Sequence, residues 1–153
     1  MPYCSARVRR LLGLALLCLA VAACGGSGGG RLSRTEYARQ ADAICARYSQ
    51  AIDALGRPKS LAELAKFTDD AVPIAQRAVD DARKLRPPED EQTLAARWNA
   101  ENQKVVDALA KLGAAARRND ESAAKAALAA GDTANTNAND LGRRLGMDAC
   151  TKA

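Results

Sequence analysis

Five cysteines and no histidine bound the chemistry open to this 153-residue chain. Without histidine there is no Ser-His or Cys-His nucleophile pair, no Glu-x-x-His ligand set of the di-iron bundles, and no histidine-bound zinc. Cysteine chemistry remains, and it divides by position. Cys4, Cys18 and Cys24 lie before, in and just after an apolar N-terminal run, whereas Cys45 and Cys150 lie in the charged remainder. The last two are too far apart for a Cys-x-x-Cys redox or metal motif. They either close one disulfide or stay as two separately buried thiols, cysteine being also a small core residue.

Carboxylates and amides offer the other candidates. Asp69-Asp70 and Asp80-Asp81 are adjacent acids, but neighbours on a helix point about 100° apart, a poor geometry for an acid–base dyad. Solvated helix surface is the plainer expectation for both. A second constellation places Trp98, Glu101 and Asn102 on one predicted helix, with Asn135, Asn137 and Asn139 on another. It predicts a small ligand cleft at Trp98, Glu101, Asn102 and Asn135, or else residues half exposed at the edge of an apolar stripe. No glycine-rich loop follows a strand, so no phosphate cradle is indicated. The sequence predicts no catalytic residue, no metal site and no cofactor.

The N-terminus carries its own chemistry. Arg7, Arg9 and Arg10 precede an apolar segment from Leu11 to Ala20, the pattern of an export signal. That segment is too short for a permanent membrane span, which needs about 20 residues. It ends in Val21-Ala22-Ala23-Cys24, small residues leading to a cysteine, and Gly25-Gly26-Ser27-Gly28-Gly29-Gly30 follows as a flexible tether. The arrangement resembles the lipobox of bacterial lipoproteins. The resemblance implies that residues 1–23 are cleaved, that the Cys24 thiol is acylated, and that residues 24–32 tether a domain at 33–153. The protein would then sit lipid-anchored on the extracytoplasmic face of the cell membrane. The alternative is a secretory signal cut before an ordinary Cys24. Arg9-Arg10 lacks the rest of a twin-arginine signature, which leaves the export route open.

Charge excludes one class of partner. All 18 acidic residues but only 20 of the 23 basic ones follow Cys24, so the mature chain carries about +2 rather than +5. Basic and acidic residues are interspersed, without the clustered basic face that nucleic acid requires. Arg117-Arg118 and Arg143-Arg144 fall at predicted helix C-termini, where cations complement the helix dipole.

Four helices must position these residues. Abundant alanine and scarce aromatics favour helix. Ser33-Arg34-Thr35-Glu36 is a capping box opening a helix over 34–55, with Tyr37, Ala41, Ile44, Tyr48, Ile52 and Leu55 as its stripe. Gly56 and Pro58 end it. Ser60-Leu61-Ala62-Glu63 opens the second, whose stripe runs from Leu64 to Leu85. Pro73 lies inside it, predicting a kink or break near 68–72. Arg86-Pro87-Pro88 ends that element, and acids at 89–91 open a third helix reaching about Ala116. Asn119-Asp120 caps a fourth over about 121–145, with Ala124, Leu128, Ala134, Ala138, Leu141 and Leu145 on one face and Gly146 as its stop. Short connections predict an all-α, antiparallel up-down-up-down four-helix bundle. Helix four would then end near the start of helix one, bringing Cys150 within reach of Cys45.

The whole mature part is similar to a group of small actinobacterial lipoproteins of unknown function. The likeness is carried by Cys24 and its tether, the Tyr37-to-Cys45 helix, the Leu85-Arg86-Pro87-Pro88 break, and the terminal Leu145-Gly146-Met147-Asp148-Ala149-Cys150. It implies a disulfide-closed helical domain outside the membrane and brings no activity with it. The expectation is a non-enzymatic binding or protein-interaction module, with an envelope protein as partner. A small-molecule-binding lipoprotein with a cleft near Trp98 is the alternative.

Overall fold

Capping serines start the first two helices as their spacing requires. In a computed structural model that describes residues 30–152, the Ser33 hydroxyl accepts from Glu36 N and the Ser60 hydroxyl from Glu63 N. Four helices result: α1 (Arg34–Asp53), α2 (Leu61–Lys84), α3 (Gln92–Arg117) and α4 (Glu121–Arg144). A short 3-10 turn at Glu89–Glu91 leads into α3, and another at Ala149–Thr151 follows α4. Asp120 caps α4 through Ala123 N. Gly56 and Gly146 both take positive φ, 77° and 79°, which lets α1 and α4 stop where the sequence predicts. Cys24, the signal segment 1–23 and the glycine tether up to Gly29 lie outside the described residues, while Arg31–Ala153 form a unit of their own.

The antiparallel order follows from contacts along the helices. Leu32 just before α1 meets Arg86 just after α2, Asp69 in the first half of α2 reaches Arg117 at the end of α3, and Glu101 in the first half of α3 reaches Asn137 in the second half of α4, so each helix reverses the one before it. The helices pack in sequence, α1 on α2, α2 on α3 and α3 on α4. The fourth side of the bundle differs. No Cα of α1 lies within 8 Å of one in α4, and the C-terminal turn bridges the two instead.

Small residues let α3 approach its neighbours closely. A Cβ at Gly113 would collide with the Thr68 hydroxyl and lie 2.8 Å from Thr68 Cβ, so glycine is required where α3 crosses α2. On the other side, Gly131 of α4 faces Ala108. α4 accordingly buries Ala124, Ala127, Ala134, Ala138 and Leu141, and Leu128, predicted on the inward stripe, is 49% exposed. The physical reason is that the alanine face allows close approach to α3, which rotates Leu128 outward. Leu55, the last residue of the predicted α1 stripe, is likewise at the surface.

Pro73 does not break α2, which runs through it from Leu61 to Lys84. The proline itself is exposed, so its ring meets solvent rather than a neighbouring helix. Arg31 and Leu32, assigned from sequence to the tether, are already held. Leu32 N donates to Arg86 O at 2.8 Å, and the Leu32 side chain packs on the core.

Candidate functional site

Two clusters of buried side chains stand apart from one another. One, at the end where α1 begins and α4 finishes, joins Tyr37, Ala41, Ala82, Trp98, Leu141, Leu145 and Met147. The other, near the α3–α4 turn, joins Leu112, Ala115, Ala124 and Ala127. Between them lies a cleft of about 510 Å3. Trp98 and Ala82 of the first cluster line one end of it, and Leu109, packed on the second, lines the other.

Each wall has a local cause. Ile44, Tyr48 and Ile52 recur every four residues on α1 and should be core by periodicity, yet all three are only half-buried. They face the cleft because α1 does not close on α4. From α2 come Ala75, Ala78, Val79 and Ala82, too small to fill the space α1 leaves. From α3 come Trp98, Asn102, Val105, Val106 and Leu109. α4 contributes one side chain, Asn135, and the C-terminal turn contributes Ala149, Cys150 and Lys152.

Three of the four predicted ligand residues thus share one cleft. Trp98 is its buried floor, 3% exposed, and Asn102 and Asn135 are half-buried beside it. Glu101 is not among them. One position along α3, it turns to the opposite groove, where Lys104 Nζ sits 2.6 Å from one carboxylate oxygen and Asn137 Nδ2 donates to the other at 3.4 Å. The Lys104 ammonium holds its carboxyl below the usual range. Glu101 is therefore an ionised partner in a surface pair and no part of the cleft.

The Cys45–Cys150 disulfide is formed, with Cα atoms 5.2 Å apart, and it walls the cleft at the C-terminal turn. Met147 N donates to Gly142 O and the Met147 side chain is buried, the Schellman arrangement that turns the tail back towards α1. What sequence reading missed is Asp42. Its carboxylate accepts from Asp148 N at 3.0 Å, Ala149 N at 2.8 Å and Cys150 N at 3.1 Å. Asp42 stands three residues before Cys45, on the same face of α1, but its spacing alone does not announce backbone partners so far along the chain. Arg34 adds a second clamp, donating to Arg144 O while pairing with the buried Glu91 at 2.9 Å.

Three of the four adjacent acids face cations rather than each other. Asp69 pairs with Arg117 at 2.5 Å and Asp80 with Arg83 at 3.5 Å. Asp81 receives Lys84 at 2.8 Å, Arg47 at 2.7 Å and the Tyr48 hydroxyl at 2.7 Å, which together hold its carboxyl down, Lys84 most of all. Among the described residues no three His, Cys, Asp or Glu converge as a metal site would require. No described helix is long and apolar enough to cross a membrane. Comparison with known protein families, curated proteins and solved structures gives no match for this chain.

Proposed function

We propose that this protein is a lipid-anchored, extracytoplasmic binding module that performs no catalysis and holds a small molecule in its central cleft. The observation that carries the binding reading is the unfilled centre of the bundle, flanked by two packed clusters and lined by Trp98, Asn102 and Asn135. At about 510 Å3 it falls within the ~300–1,000 Å3 typical of small-molecule sites, mostly apolar with a few polar groups. The surface offers a protein partner less. Among the described residues only Leu55 and Leu128 are large apolar side chains exposed to solvent, and single exposed leucines are ordinary.

The anchor rests on Val21-Ala22-Ala23-Cys24 and the tether that follows. Two acyl chains on one cysteine supply the stable attachment that a single chain does not. A Gly/Ser segment of six residues, taken as a random coil, would give the domain about 12–15 Å of r.m.s. reach from its anchor. Metabolic labelling with a radioactive fatty acid tests this: label is expected on the wild type and not on Cys24→Ala. A screen of small amphiphiles by Trp98 fluorescence and melting temperature tests the cleft, and a screen without a single shift would refute it.

A further inference from the structure

We infer that the cleft takes a neutral, single-chain amphiphile whose one hydroxyl group is held between Asn102 and Asn135. The inference rests on the binding reading above and adds the chemical class of the ligand.

Size argues against a polypeptide occupant. One turn of α-helix with its side chains, 10–12 Å across and 5.4 Å long, occupies roughly 400–600 Å3. A cleft of about 510 Å3 would take a single turn, too little to recognise a helix by its face. A flexible hydrocarbon chain makes fuller use of the same space, because the walls between Ile44, Ile52, Val79, Val105 and Leu109 are aliphatic.

Charge argues against an ionised headgroup at depth. The ionisable residues lining the cleft, apart from Tyr48, are Asp53 and Lys152, and both are exposed. Tyr48 already donates its hydroxyl to Asp81. A carboxylate or ammonium drawn in to Trp98 would lose its hydration and meet no opposite charge, an unfavourable exchange.

The polar groups that do lie inside match a hydroxyl. Asn102 Nδ2 donates to Trp98 O at 2.9 Å, and only the amide nitrogen can serve a carbonyl, so the orientation of this side chain is fixed. Its Oδ1 is left without a hydrogen-bond partner among the described residues, on a side chain that lines the cleft. The Asn135 side chain makes no hydrogen bond with the described residues, so its amide keeps both donor and acceptor. The pairing that sets Glu101 against Asn137 also brings Asn102 and Asn135 to neighbouring levels on α3 and α4. One hydroxyl can therefore donate to Asn102 Oδ1 and accept from Asn135 Nδ2. The chain beyond it runs along the aliphatic walls towards Leu109.

The test uses the oxidised chain from Gly25 onward, which keeps the whole Arg31–Ala153 unit and needs no detergent. The probes are dodecanol, dodecanoate and dodecane, each brominated at the fourth carbon, close to the end that the asparagines hold beside Trp98, since bromine quenches tryptophan on contact and Trp98 is the single tryptophan. Saturable quenching by the alcohol is expected, with affinity at least about tenfold above that for the carboxylate and for the alkane, as one unmatched polar interaction implies. Asn102→Leu and Asn135→Leu should each weaken the alcohol about tenfold, and Asn137→Leu, in the opposite groove, should not. Alcohol and carboxylate bound equally well would overturn the ligand class while leaving the cleft as a binding site. Alcohol and alkane bound equally well, or indifference to both asparagine substitutions, would overturn the hydroxyl's placement. No quenching and no change in melting temperature with any probe would remove the binding reading itself. The alkane comparison needs only the wild type, so the inference stays open to refutation even where a leucine variant does not fold.

Discussion

Reducing the Cys45–Cys150 bond should cost this domain several kcal/mol, and the cost should come from the unfolded chain. The bond spans 105 residues. In the loop-entropy description, closing about 100 residues restricts the unfolded ensemble by ~4.7 kcal/mol at 25 °C, and measured values more often fall between ~2 and 4. Asp42 acts at the same place on the other side of the equilibrium. Its carboxylate receives three N–H groups of the terminal turn at 2.8–3.1 Å in the folded state, where a helix-capping carboxylate contributes ~0.5–2 kcal/mol. The two contributions act on different states, so they should add. Urea denaturation of wild type and Asp42→Ala, each oxidised and reduced, gives the four corners of the cycle. The expected losses are about 3–4 kcal/mol for reduction, about 1 kcal/mol for Asp42→Ala, and a coupling no larger than ~0.5 kcal/mol. A reduction cost under ~1 kcal/mol would refute loop closure as the mechanism. So would a cost that disappears in Asp42→Ala, because the bond would then act by docking the tail.

Gly113→Ala should destabilise the domain by about 1–3 kcal/mol despite alanine's better helix propensity, because the new methyl meets Thr68 and α2 must part from α3; an unchanged urea midpoint would show that the helices yield freely. Tyr37 is fully buried, its hydroxyl has no hydrogen-bond partner among the described residues, and burial, aided by the Glu91 charge, pushes its ionisation from 10.0 up to about 12. Tyr37→Phe should therefore leave stability at neutral pH unchanged or raise it by about 1 kcal/mol. The raised value favours the neutral phenol in the folded state. Its contribution is complete below pH 10.0 and is lost as the pH rises through about 12, so the wild type should weaken over that window and Tyr37→Phe should weaken less. Equal alkaline limbs in the two proteins would contradict it. On the acid side, Arg39 and then Gln40 hold the Glu36 carboxyl down to about 2 from 4.5. Stability should fall as the pH drops through that range, and Glu36→Gln should blunt the fall. Ala78→Leu, placing a larger side chain on the cleft wall, should abolish amphiphile binding without lowering the melting temperature; binding that persists would place the ligand elsewhere.

The fold was legible because the signals for each helix were local and agreed with one another. Ser33, Ser60 and Asp120 cap where their spacing to the following residues requires, and Gly56 and Gly146 stop where a positive φ is needed. The disulfide was legible for a different reason. Once the first three cysteines are assigned to the N-terminal segment, one pairing remains, and an antiparallel bundle brings it together. Periodicity failed on the far side of α1, since it reports that Ile44, Tyr48 and Ile52 share a face but not that anything covers that face. It failed again at Leu128 and Glu101, each a single helical position from an inward residue. The turn of about 100° between neighbours decides in both cases which side chain enters and which leaves. Asp42 was invisible to pattern because its partners are backbone N–H groups of a turn more than a hundred residues away.

The cleft and the disulfide are consequences of one arrangement. α4 presents alanine and glycine inward and closes tightly on α3, so it stays more than 8 Å, Cα to Cα, from α1. A bundle open on one side leaves aliphatic surface on α1 without a helix against it, which weakens the hold of α1 on the rest. The C-terminal turn offsets this by crossing the open side at one end, where Met147 packs into the core, Asp42 receives the turn, and Cys150 joins Cys45. Beyond the turn the gap remains, and it is the cleft. Were the centre only badly packed, α1 could settle onto α4 by exchanging a few alanines for leucine. Instead the crosslink fixes α1 at a distance that keeps the centre open, and Cys45 and Cys150 themselves form part of its lining. Reduction should therefore do more than lower stability: by releasing one wall, it should weaken amphiphile binding under conditions where the domain is still folded.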